Sequence, residues 1–111
     1  MKIELKLSND TLLATHAILQ YVYVVSYGNK TLENVHKSIG FELADKFDKK
    51  VKTQKKKATL FDQKKKISVT LKYYEAWALK AIATDLIYTC SSDYSKNLVQ
   101  SLINVLDQKL Q

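Results

Sequence analysis

The 111 residues are 46% hydrophobic, 10% aromatic and 26% charged, with a formal net charge of +7. This is enough apolar material for one packed domain without staples, and it excludes a disordered chain. Cys90 is the single cysteine, which excludes an internal disulfide; no apolar run approaches a membrane span and no secretory leader is visible, so the expectation is a cytoplasmic protein with no membrane partner.

In chain order, KIELKL (2–7) alternates strictly, with Ile3, Leu5 and Leu7 on one face and Lys2, Glu4 and Lys6 on the other. That is the period of a half-buried strand. Asn9 or Asp10 is placed to cap a helix running to about Tyr27, with Leu13, Ala17, Tyr21 and Val24 as its apolar stripe, widened by Ile18, Val22 and Val25. Gly28-Asn29 ends it, and a second helix from Thr31 carries Leu32, Val35, Ile39, Leu43, Phe47 and Val51 at spacings of three and four.

KISVTL (66–71) repeats the alternation of the first strand. YYEAWALKAIATDLIY then reads as a helix with Trp77, Ala78, Ala81, Ile82, Asp85 and Leu86 along one side. Ser91-Ser92-Asp93 forms a turn with a cap, and a last helix from about Tyr94 to Leu110 places Leu98, Val99, Leu102, Ile103 and Leu106 inward. Sliding the chain by 64 residues superposes KIELKL on KISVTL and keeps element order, turn position and core phase. The expected fold is therefore α+β and mainly helical, with four helices packed on a small sheet of two or three strands. It comprises two pseudo-repeated strand–helix–helix units, 2–46 and 66–110, joined by a Lys-rich segment, 47–65, that is a candidate hairpin arm through ATLF (58–61).

The charge belongs to one region. All eighteen basic residues are lysine; between Lys46 and Lys66 ten lysines face Asp48 and Asp62, a net of +8, while the remainder nets −1. Within KKKATLFDQKKK and the helix before it, Lys49, Lys50, Lys52, Lys55, Lys56, Lys57, Lys64, Lys65 and Lys66 are the candidate binding residues. Such a density attracts polyanions by neutralising phosphates and releasing counterions. Lysine runs also keep exposed joints soluble and protect strand edges. Without arginine there is no planar fork to read guanine edges, so phosphate contacts should dominate and sequence preference should be slight.

Signatures of catalysis are missing. Gly28 and Gly40 alone cannot build a glycine-rich phosphate loop. His16 and His36 lie on different helices and no second cysteine completes a metal-ligand pair, so no catalytic residue, metal or cofactor is expected. Cys90 reads as a small packed hydrophobe, Glu75 as a complement to a helix N-terminus, and the seven tyrosines and Trp77 mostly as core packing.

A strand with outward polar residues followed by two helices, occurring twice, resembles the ribbon–helix–helix DNA-binding proteins. The resemblance covers 2–46 and 66–110 and implies that the two strands pair as an antiparallel ribbon entering the major groove. It would offer Lys2, Glu4 and Lys6 from one strand and Lys66, Ser68 and Thr70 from the other. GNKTLENVHKSI is similar to the start of that family's second helix, where backbone amides bind phosphate. The chain departs from the family in its longer, more apolar first helices, in lacking arginine and in Glu4. The leading expectation is a non-enzymatic, basic nucleic-acid-binding protein. Its rival is a protein-interaction module (an accessory, inhibitor or assembly subunit), and a homo-oligomer is among the expected assemblies.

Overall fold

The computed structural model describes the backbone of residues 2–21, 31–57 and 66–111 and, within these, every side chain but those of 31–37 and 54–57. The order is β1 (Lys2–Leu7), α1 (Asn9–Gln20), α2 (Thr31–Lys57), β2 (Ile67–Lys72), α3 (Tyr73–Leu86), a 3₁₀ turn at Ile87–Thr89, and α4 (Asp93–Leu110). The protein is thus α+β and mainly helical, with four helices and a two-stranded sheet among the described residues.

β1 and β2 pair antiparallel, with Lys2 opposite Lys72, Leu5 opposite Val69 and Leu7 opposite Ile67. The alternation places Ile3, Leu5, Leu7, Ile67, Val69 and Leu71 against the helices and turns Lys2, Glu4, Lys6, Ser68, Thr70 and Lys72 to solvent. Two hydrogen bonds fix the ladder's phase. Lys46 Nζ donates to the Thr70 carbonyl (2.8 Å), and the Lys72 amide donates to Glu75 Oε1 (2.8 Å), so both groups face the outer edge of β2. Antiparallel geometry then makes Ile3–Leu71, Leu5–Val69 and Leu7–Ile67 the hydrogen-bonded pairs. It also directs the backbone N–H and C=O of Lys2, Glu4 and Lys6 to the outer edge of β1.

Local chemistry sets the helix starts. Ser8, rather than Asn9 or Asp10, caps α1: its hydroxyl accepts the Thr11 amide at 3.1 Å. Ser92 does the same for Ser95 at the start of α4, as the turn signal predicts, with Asp93 in the first turn and Lys109 in the last complementing the helix dipole. Glu75 accepts the Lys72 amide at the start of α3, satisfying a donor that the helix itself cannot. β2 is one residue later than the alternation suggests, ending at Lys72.

The faces of α1 and α3 match those expected only in part: Ile18, Ala78, Ile82 and Leu86 are buried as expected, but the faces are turned. In α1 the buried residues are Leu12, Thr15, Ile18 and Leu19, while Leu13, Ala17 and Tyr21 are exposed. Thr15 tolerates burial because its hydroxyl donates to the Thr11 carbonyl at 2.8 Å. In α3 the inward face is Glu75, Ala76, Ala78, Leu79, Ile82, Ala83 and Leu86, with Trp77 and Asp85 outside. The segment YVYVVSY lies outside the described residues beyond Tyr21.

α2 and α4 follow their patterns where their side chains are described; Leu32 and Val35 lie outside the described side chains, and Leu98 is half-buried. Leu43, Phe47 and Val51 are buried from α2, with Ile39 half-buried, and Val99, Leu102, Ile103 and Leu106 are buried from α4. Helix α2 continues to Lys57, so the first part of 47–65 is helical; ATLF lies outside the described residues, and β2 takes β1 as its partner. The core is one cluster drawn from both strands and all four helices, with Leu5, Leu12, Phe47, Leu71, Leu79 and Leu106 among its members. Polar ties brace its rim: Lys80 Nζ to Asp107 (2.6 Å), Tyr94 Oη to Asp10 (2.6 Å) and Tyr73 Oη to the Leu110 carbonyl (3.2 Å).

Candidate nucleic-acid interface

The exposed face of the ribbon is a short polar platform. Lys2 and Lys72 stand opposite each other at one end, Glu4 opposite Thr70 in the middle, and Lys6 opposite Ser68 toward the other. Glu4 is bonded along its own strand to Lys6 at 3.5 Å, which leaves Lys2 and Lys72 without an ion-pair partner among the described residues. The Lys72 ammonium lies 5.8 Å from the Tyr74 ring centre, within cation–π reach.

At the Lys72 end the platform runs into a shallow groove of ≈ 470 Å³, lined by Asp45, Lys46, Lys49, Lys50 and Thr53 of α2 with Lys72 and Glu75. Helical spacing puts positions 46, 49, 50 and 53 on one side of α2. Lys46 ties that side down through Thr70 and through Glu75 Oε1, 3.4 Å away. Glu75 is only 7% exposed, so its charge works as an internal anchor for Lys46 and the Lys72 amide.

The structure divides the sequence-predicted lysines. Lys49 and Lys50 line the groove, Lys49 pairing with Asp45 at 3.0 Å while Lys50 makes no ion pair among the described residues. Lys52 is bonded to Asp48 at 2.9 Å, away from the groove lining. Lys55, Lys56 and Lys57 belong to the last turns of α2, with side chains outside the described set; Lys64 and Lys65 lie outside the described residues altogether. Lys66 is exposed just before β2, at the ribbon end opposite Lys72, roughly 20 Å along the strand from it. The lysines close in sequence are therefore not all neighbours in space. Composition also hides Lys72, which the alternation left just beyond its strand and which lines the groove with Lys49 and Lys50, Lys2 standing opposite it.

Asp48 is a crossing point. It accepts from Lys52 within α2, and His16 Nε2 of α1 lies 3.2 Å from it. The Lys52 hydrogen bond, and after it His16, hold the Asp48 carboxyl below the usual carboxylate range, and Asp48 holds the Lys52 ammonium above the usual lysine range. A depressed carboxylate stabilises the fold above its unfolded value and loses that contribution as pH falls through its native one. A raised ammonium contributes fully below its unfolded value and loses it as pH rises through its native one. The pair is thus intact from about pH 4 to about pH 10. Asp48→Asn should lower the urea midpoint slightly at neutral pH, as befits an exposed pair, and the difference from wild type should vanish in acid below the native Asp48 value. A difference that persists there would assign the effect to packing.

Other reactive side chains are otherwise engaged. Burial pushes the Cys90 thiol up, outweighing the nearby charge of Lys96, which disfavours the thiolate. Among the described residues no cluster of three or more His, Cys, Asp or Glu side chains could hold a metal ion, and no helix is long and apolar enough to cross a membrane.

The aromatic residues reverse the sequence expectation. Tyr21, Tyr73, Tyr74, Tyr88, Tyr94 and Trp77 are between 43% and 70% exposed, and among the described residues Phe47 is the one buried aromatic side chain. Three of them, Tyr73, Tyr74 and Trp77, emerge within the first turns of α3, beside Lys72. Comparison of the chain with protein-family models, with curated proteins and with solved structures finds no match.

Proposed function

We propose that the protein is a non-enzymatic nucleic-acid-binding protein that holds the phosphate backbone with the ribbon face and the adjoining lysines of α2. The observation carrying this reading is the continuity of Lys2, Lys6 and Lys72 on the solvent side of the ribbon with Lys49 and Lys50 in the groove. Lysine ammonium groups contact phosphates as point charges, so the ribbon face can lie along the phosphate backbone without reading base edges. Glu4 in the middle of the platform opposes close approach to phosphate there. Contact is therefore assigned to the flanking lysines, with little base selectivity.

The same reading treats the chain as two related strand–helix–helix units, 2–46 and 66–110, with 47–65 between them. Its support is that β1, α1, α2 and β2, α3, α4 follow in the same order and that the two strands pair antiparallel, as a two-fold relation requires. This is also where the chain is most similar to a ribbon–helix–helix arrangement.

The test is fluorescence anisotropy of a labelled duplex across a salt series. Engaging about five phosphates, the protein should lose roughly 10²–10³-fold in affinity between about 50 and 200 mM salt. Replacing Lys2, Lys6, Lys49, Lys50 and Lys72 by glutamine should remove binding and flatten the salt slope. Replacing Lys55, Lys56, Lys57, Lys64, Lys65 and Lys66 separately measures what the rest of the lysine segment adds. Unchanged affinity in the first variant rejects the ribbon and groove as the site. A second reading, a protein-interaction module, is favoured by the exposed Tyr73, Tyr74 and Trp77 on α3, residue types enriched at protein interfaces. It predicts a stoichiometric protein complex in light scattering and no nucleic-acid binding at physiological salt.

A further inference from the structure

The two edges of the ribbon are treated differently. On β2, Lys46 occupies the Thr70 carbonyl and Glu75 the Lys72 amide, so that edge is stoppered at two positions. On β1, the outward N–H and C=O groups of Lys2, Glu4 and Lys6 make no hydrogen bond to any described residue. At the Leu7 end of β1 a groove against α4 is lined half by apolar residues, Leu5, Leu7, Leu98, Leu102 and Val105, and half by polar ones, Lys66 among them, with Val105 40% exposed. A strand edge with unpaired backbone groups and a partly apolar margin is a template for another strand.

We infer that the occupant of this edge is β1 of a second copy of this chain, in an antiparallel pairing centred on Leu5. The outward-facing backbone groups belong to even-numbered residues, so a symmetric antiparallel pair must match even with even. Centring on Glu4 sets Glu4 against Glu4 and Lys2 against Lys6, like charges directly opposite. Centring on Leu5 sets Glu4 against Lys6 twice, exchanges backbone hydrogen bonds at both pairs, and keeps Ile3, Leu5 and Leu7 on the inner face of both chains. Centring on Ile3 also opposes Lys2 to Glu4 but uses only the first residues of the strand. Charge complementarity and the use of the full strand together select the Leu5 register, and its dyad brings the Val105 side of α4 toward its own copy. The product is a four-stranded sheet, ordered β2-β1-β1-β2, whose outer edges are the stoppered ones, so assembly ends at two chains.

Sedimentation velocity on the nuclease-treated full chain, over a concentration series without nucleic acid, tests this independently of any phosphate binding. Wild type should show a reversible monomer–dimer equilibrium. Glu4→Lys, which places lysine against lysine at both pairs, should weaken the dimer by about tenfold or more with an unchanged far-UV spectrum. Adding Lys6→Glu to Glu4→Lys swaps the charges and should restore it. A wild type that stays monomeric throughout, a dimer indifferent to Glu4→Lys, or a charge swap that fails to restore association would each overturn the inference.

Discussion

Phe47→Ala should destabilise the protein by about 4 kcal/mol. Phe47 is fully buried on α2, the helix that packs against both α1 and α3, and it is the largest of the fully buried side chains. Truncation removes its transfer free energy and leaves a void that helices braced on three sides cannot close. Against a total stability of about 10 kcal/mol for a domain of this size, such a loss removes a large share. The thermal midpoint should fall by roughly 15 °C. Phe47→Leu retains most of the volume and should lose only about 1 kcal/mol. Urea titration followed by far-UV circular dichroism measures both, and equal losses in the two variants would show that volume is not what Phe47 contributes.

The second large effect is expected at Glu75. Its carboxylate accepts the Lys72 amide and faces Lys46 Nζ, joining β2, α3 and α2 through one buried group. Glu75→Ala removes the partner of a helix-start amide together with a charge-assisted hydrogen bond, a loss of about 2 kcal/mol. Glu75→Gln keeps an oxygen for the Lys72 amide but not the charge for Lys46, and should recover about half of that. Amide exchange at Lys72 provides the local readout: protection should disappear in the alanine variant and persist with glutamine. If glutamine behaves like alanine, the ion pair with Lys46 contributes more to stability than the hydrogen bond to the Lys72 amide.

These two residues also show what the sequence could and could not convey. Strict alternation in KIELKL and KISVTL made both strands legible, because a pleat admits one periodicity and one face was apolar throughout. Leu43, Phe47 and Val51, and the inward residues of α4, were legible because the opposite helix faces are polar. In α1 and α3 the phase was legible only in part, through Ile18, Ala78, Ile82 and Leu86, since polar residues are also buried and apolar ones exposed. Thr15 and Glu75 go inside because each finds a hydrogen-bond partner there, Thr11 and Lys72 respectively, and those partners are matters of geometry rather than hydropathy. Leu13 and Trp77 then stand outward and counterfeit a core stripe. A charge count likewise registers ten lysines between Lys46 and Lys66 but not that Lys46, Lys49 and Lys52 are each bonded to a carboxylate. The ladder adds Lys72 to the Lys2, Glu4 and Lys6 that the ribbon resemblance had already offered.

That ladder has a consequence for synthesis. Lys2 pairs with Lys72, so β1 leaves the ribosome roughly 3–13 s before the strand it needs, at ordinary rates of elongation. Until then Ile3, Leu5 and Leu7 have no sheet to join, and α1 and α2 can associate only provisionally. The sheet is thus a long-range pairing, whose closure costs loop entropy before its contacts repay it. Lys2, Glu4 and Lys6 then limit how β1 can pair: on a polysome the nearest strands are its own copies, and any register that opposes like charges is disfavoured.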